Sequence, residues 1–168
     1  VDDEGFGIDF FSIGLVRRDG AEYYGVYDAI DEGRYAGAWV ADHVLAKLPP
    51  QSERQNLAAI RQGILKTFAP AREIEIWAHN GSYDFFILAR IFGGQLNFRA
   101  ALKATHGIER VTFRDTKELL AQKPANVVLP KQDPANAHIS IADARHERVI
   151  FEALMTPKPT KKIGMPRR

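Results

Sequence analysis

Two β-rich runs joined by a polar turn set the first limit on what this chain can become. "FFSIGLV", "RRDG" and "AEYYGVY" follow one another, so Phe11 to Val16 and Glu22 to Tyr27 read as strands closed at Asp19-Gly20. Two antiparallel strands therefore come first, and the fold must contain a sheet. "AGAWVADHVLAKLPP" then places Trp39, Val40, Val44, Leu45 and Leu48 at helical spacing and stops at Pro49-Pro50. Ser52 with Gln55 resembles a capping box ahead of a second helix, whose stripe is Leu57, Ile60, Ile64, Leu65 and Phe68.

"REIEIWAHN" alternates Ile74, Ile76 and Ala78 with more polar neighbours, which predicts a strand running into the turn "HNGS". Ser82 to Phe92 reads as a helix that is apolar almost all round, hence heavily buried, and Gly93-Gly94 ends it. Leu96 to His106 predicts a short helix closed by Gly107, "RVTFRDT" a strand, and Lys117 to Gln122 a helical turn or two. A Pro- and Asn-rich connection, "KPANVVLPKQDPANAH", leads to a last helix over Ile141 to Met155. Hairpin, helices, strand, helix, strand, helix is the order of an α/β fold, a mixed sheet with helices on its faces.

At 168 residues the chain suits a single domain, and no apolar run approaches the roughly 20 residues of a membrane span. With no cysteine there is no disulfide framework and no thiolate metal site. The acidic start lacks the pattern of a secretory signal, so a cytoplasmic location is expected, with no membrane partner. The net charge of +2 hides an asymmetry, because Pro157 to Arg168 holds five basic residues and no acid. Without them 18 basic residues face 21 acidic ones, a body of −3. Residues 1–156 are expected to form the domain and 157–168 a solvated, disordered basic tail.

Two stretches could carry chemistry. In "HNGSYDFFIL", Asp84 sits at the start of a helix just beyond a strand, where a carboxylate also favours the positive end of the helix dipole. In "AHISIADARHE", His138 precedes Asp143 by five residues, about 500° on a helix, so the two cannot share a helical face. His138 fits better on the incoming loop, leaning over the turn that presents Asp143. A capping box of Ser140 with Asp143 explains that stretch equally well. Both carboxylates enter at helix starts that could converge on one end of the sheet. Together with a histidine they suit a hard divalent cation with oxygen ligands and an imidazole base, hence metal-assisted phosphodiester hydrolysis. His43, His79 and His106 are assigned packing or surface roles, with His146 a second candidate base.

Taken in order, "IDFFSIGLVRRDGAEYYGVY", "AGAWVADHVLAKLP", "EIEIWAHNGSYD" and "HISIADA" resemble the DEDDh-type 3′-5′ exonucleases of the ribonuclease-H-like fold. Within that group the likeness is to the small, single-domain, mycobacterial-type exoribonucleases. The resemblance implies two Mg²⁺ or Mn²⁺ ions about 3.5 to 4 Å apart, with Asp143 and Asp84 as ligands and His138 as general base. It implies that Asn80 touches the terminal nucleotide, and that the partner is a nucleic acid with a 3′ end, RNA favoured over DNA. A homo-oligomer is compatible with the sequence but not required. A catalytically silent nucleic-acid-binding module of the same fold is the alternative, and an endonuclease of that fold a third reading.

The family's first motif, an Asp-x-Glu at the end of its central first strand, has no clear counterpart. Asp2-Asp3-Glu4 has the letters but only Val1 precedes it, and "VDDEGFG" better resembles the loop after that motif. The expectation is a chain that begins after its first motif, with little activity of its own. Phe11 to Val16 and Ile74 to Ala78 should then flank a gap or a foreign segment; direct pairing of the two would overturn this topology.

Overall fold

The computed structural model describes residues 9–123 and 127–155. Asp2, Asp3 and Glu4 and the basic stretch 157–168 lie outside the described residues. The hairpin forms as expected: β1 (Ser12–Val16) pairs antiparallel with β2 (Glu22–Val26), Ser12 opposite Val26 and Val16 opposite Glu22. Gly20 takes φ 95° in the turn, a region open to glycine at no steric cost, and Asp19 Oδ1 accepts from the Ala21 amide at 3.2 Å. The outer edge of β2 is closed by Gln55, whose amide donates to the Val26 carbonyl at 2.7 Å and whose carbonyl accepts from Asp28 at 3.0 Å.

The long helix expected from Trp39 onward is only α1 (Trp39–His43), followed by a 3₁₀ turn at Leu45–Lys47. Of its apolar stripe Leu45 is buried, Val40, Val44 and Leu48 are partly buried and Trp39 is 57% exposed, and a helix this short has little stability of its own. The Ser52/Gln55 capping box is also not formed. Asn56 caps α2 (Leu57–Thr67), its side chain accepting from the Ala59 amide at 2.9 Å, because Gln55 is engaged with β2.

β3 (Glu73–Ala78) and β4 (Arg110–Asp115) pair in parallel, Glu73 opposite Arg110 and Ala78 opposite Asp115. Parallel strands need a crossover, here supplied by α3 (Gly81–Ile91) and α4 (Gln95–His106), the latter closed by Gly107 at φ 71°. Ile60 and Ile64 of α2, Leu88 and Ile91 of α3, and Phe98 and Leu102 of α4 form the core with Ile108 and Val111. Helix α3 is less buried than its composition suggests: one face enters the core, while Tyr83 and Phe86 are 58% and 40% exposed. After α5 (Thr116–Ala121), the last helix α6 (Ser140–Met155) packs on β1. The approach is close enough that a β-carbon on Gly14 would lie 2.2 Å from the Ser140 carbonyl oxygen.

Among the described residues the strands stay as two separate pairs, β1 with β2 and β3 with β4. Residues 10–18 and 73–80 instead line a slot of about 1430 Å³, with α6 and the first turn of α3 along its other sides. The architecture is α/β, with two short sheets in place of the single mixed one. Among the described residues no helix is long and apolar enough to cross a membrane.

Candidate functional site

All four residues singled out in the sequence, Asn80, Asp84, His138 and Asp143, line this slot. The end of β3 and the starts of α3 and α6 bring them there. Asp115, the last residue of β4, is the local organiser. Its carboxylate caps α5 by accepting from the Lys117 amide at 2.9 Å, and it also accepts from the Asn80 and Gly81 amides at 3.3 and 3.2 Å. One side chain thereby ties the start of α3 to the start of α5. These bonds, that from Lys117 foremost, hold the Asp115 carboxyl below the usual range. Asn80 precedes α3 in the left-handed region at φ 58°, and its side-chain carbonyl accepts from the Lys117 ammonium.

Asp84 lies in the first turn of α3 with its carboxyl open to the slot but backed by packed protein. Although the residue is exposed at its outer side, the protein packed around the carboxyl, together with the charges of Glu147 and Asp115, outweighs its own helix-start hydrogen bond and pushes its pKa up to about 6. The ionised form is therefore crowded by like charge, a condition that a bound cation would relieve. Glu147 is fixed on α6 by the buried Thr116 hydroxyl, which donates to Oε2 at 2.8 Å, and has His79 Nδ1 3.8 Å from Oε1.

Asp143 accepts from Gln132 Nε2 at 2.6 Å and from the His138 amide at 3.3 Å. The Ser140/Asp143 capping box is not formed, since the Asp143 amide donates to the Ile139 carbonyl and its carboxylate takes the His138 amide. Asp143 does reach back over the helix start, but Ser140 turns its hydroxyl to Ser12 of β1. His138 stands on the loop before α6, as its spacing from Asp143 required, and its ring meets Trp39 edge to face. The remaining histidines have other partners: His43 Nδ1 bonds the Trp39 carbonyl at 2.9 Å and His106 Nε2 the Leu65 carbonyl at 2.7 Å, while His146 borders the slot.

The donor set is one of carboxylate oxygens with neighbouring imidazoles, which suits a hard divalent cation in kind. In number it falls short, since among the described residues no three His, Asp or Glu side chains converge closely enough to hold an ion. Of the carboxylates along the slot, Glu147 is near enough to Asp84 for its charge to raise the Asp84 pKa.

No protein-family profile matches the chain. Two curated proteins do, the 3′-5′ exoribonuclease Rv2179c of Mycobacterium tuberculosis strain ATCC 25618 / H37Rv and the 3′-5′ exoribonuclease MT2234.1 of strain CDC 1551 / Oshkosh. Each is 33% identical over 150 residues, covering 86% of this chain and 83% of the relative. The chain belongs to this family of 3′-5′ exoribonucleases.

Against that family membership, several groups at the slot of this exoribonuclease-family chain escaped the sequence reading. Glu147 was legible as the residue one helical turn beyond Asp143, on the same face. Gln132 has no such signal, its partner Asp143 being 11 residues on, and Asp115 signals only its cap on α5, not its bond to the Asn80 amide 35 residues back.

Proposed function

We propose that this protein is a metal-dependent exoribonuclease of the DEDDh, ribonuclease-H-like type, removing nucleotides from the 3′ end of RNA. One observation carries the reading: Asp84 and, far from it in sequence, the neighbouring His138 and Asp143 open onto a single slot in a relative of 3′-5′ exoribonucleases. Asp84 and Asp143 would hold divalent cations, Mg²⁺ or Mn²⁺. Such ions, when bound in a pair, lower the pKa of water and stabilise charge on the leaving oxygen.

His138 takes the proton from the attacking water, imidazole being the side chain that most often serves as a general base. Lysine donates only, so Lys117 fixes the Asn80 side-chain carbonyl toward itself and leaves the Asn80 amide group to donate to a phosphate or sugar oxygen. Asp115 keeps both helix starts in register, which sets where Asp84 stands. The open edges of β1 and β3 are of a kind that an extended segment can pair with, satisfying backbone groups on both walls at once. A strand in the slot that ends in acidic residues beside Asp84 would supply the carboxylates the described residues lack.

The test is cleavage of RNA by the full-length protein, with 3′- or 5′-labelled linear strands and a circular strand, with and without Mg²⁺ or Mn²⁺. Stepwise shortening from the 3′ end, an intact circle and a loss of about a hundredfold or more in His138→Ala are expected. Binding without cleavage would point to the silent module, and cutting of the circle to an endonuclease.

A further inference from the structure

Asn80 and His138 are the two residues other than glycine with positive φ among those described, His138 at 67°. The left-handed region is unfavourable for any residue with a β-carbon, so a side chain held there is one the surroundings over-determine. Three contacts do so here. The His138 amide is held by Asp143, the Ala137 carbonyl accepts from Lys47 Nζ at 2.6 Å, and the His138 ring meets the Trp39 indole with centroids 4.9 Å apart at 86°. Two of the three come from one arm, α1 with its following 3₁₀ turn.

Trp39 is an odd residue to find there. It is more than half exposed and outside the core, so its bulk is not placed for burial. Its indole is itself braced by His43, one turn on, stacked at 4.4 Å and 9° with Nδ1 bound to the Trp39 carbonyl. A braced aromatic plane against an imidazole fixes ring orientation, because edge-to-face geometry is the favoured one for such pairs.

We propose that Trp39 is a positioning residue for His138: the arm 39–47 orients the imidazole toward the slot, Trp39 by ring contact and Lys47 by tethering the preceding carbonyl. The proposal rests on His138 being the base, as argued above. The effect passes through His138 and not through contact with RNA.

The experiment is steady-state cleavage of a short 3′-labelled RNA by the full-length protein carrying Trp39→Ala, Trp39→Phe, Lys47→Met, His138→Ala and the Trp39→Ala/His138→Ala pair. Trp39→Ala should lower kcat by about ten- to a hundredfold with KM nearly unchanged, as expected when a reacting group is misplaced. Trp39→Phe should recover most of that loss, and Lys47→Met should lower kcat in the same way. In the His138→Ala background Trp39→Ala should add nothing, since residues acting as a unit are not additive. Should Trp39→Ala fold poorly, Trp39→Phe and Lys47→Met retain the kinetic comparison. A raised KM with full additivity would mean that Trp39 meets RNA directly, and overturns the proposal, as does unchanged kcat in Trp39→Ala and Lys47→Met. If His138→Ala keeps full activity, the base assignment fails first and the positioning role falls with it.

Discussion

Asp84 is a carboxylate kept where its charge is unwelcome, backed by protein and facing Glu147 and Asp115. Its folded pKa of about 6 lies above the ordinary 3.8, so the folded state holds the proton more tightly than the unfolded one. Stability is therefore highest below pH 3.8 as far as this group is concerned, and falls as pH rises through the window to about 6. Asp84→Asn should raise the metal-free melting temperature at pH 7 to 8 and gain nothing near pH 4, which thermal melts across that range would check. The same substitution should abolish cleavage. Glu147→Gln removes one of the charges acting on Asp84, so the Asp84 carboxyl followed by NMR should titrate lower; an unmoved titration would put Glu147 too far away to matter. Metal affinity should climb through the same pH window, since a cation competes with the Asp84 proton.

At the scale of elements, local pattern and long-range partners divide what could be read from the sequence. β1, β2, β3, β4 and the helices α2, α3 and α4 follow from alternation, helical spacing and turn residues, and their observed bounds lie within a residue or two of expectation. α1 gives way to a 3₁₀ turn after Val44 although Leu45 is buried and Val40, Val44 and Leu48 are partly so, which the helical spacing does not foretell. Asp84, His138 and Asp143 could be named from their places at helix starts and the loop before one, while Asn80 came only with the family resemblance. The groups that fix them, Asp115, Gln132, Thr116 and Lys47, answer to partners far along the chain. Gly14 shows how tightly one of these junctions is set. Its missing β-carbon lets β1 touch the start of α6, the helix that carries Asp143, and the Ser12 and Ser140 hydroxyls bond beside it. Gly14→Ala forces backbone against backbone, so it should cost about 1 to 3 kcal/mol in urea denaturation and lower cleavage by shifting Asp143. Phe98→Ala, deep in the core and remote from the slot, should cost about 3 to 5 kcal/mol while leaving kcat of the folded fraction near normal.

Among the described residues the molecule is two strand pairs packed with helices, with a seam between them that no described strand fills. The β2 edge is covered by Gln55, and α6 spans from β1 to the start of α5, where the Thr116 hydroxyl donates to Glu147. The facing edges of β1 and β3 are what remains, and backbone amides at an unpaired edge exchange with solvent while those in a ladder are protected. Hydrogen exchange on the full-length protein therefore decides what the seam is. If an extended segment completes the sheet, amides on both edges of Ser12–Val16 and of Glu73–Ala78 will be protected to the level of the strand pairs. If the seam is an open cleft, each of the two strands will instead show alternate fast and slow amides, fast on the side of the slot. The first pattern makes the sheet continuous and leaves only its acidic end for RNA; the second makes the whole slot available to substrate. Adding a short RNA with a non-bridging sulfur at the 3′ phosphodiester would then slow the fast amides only in the second case.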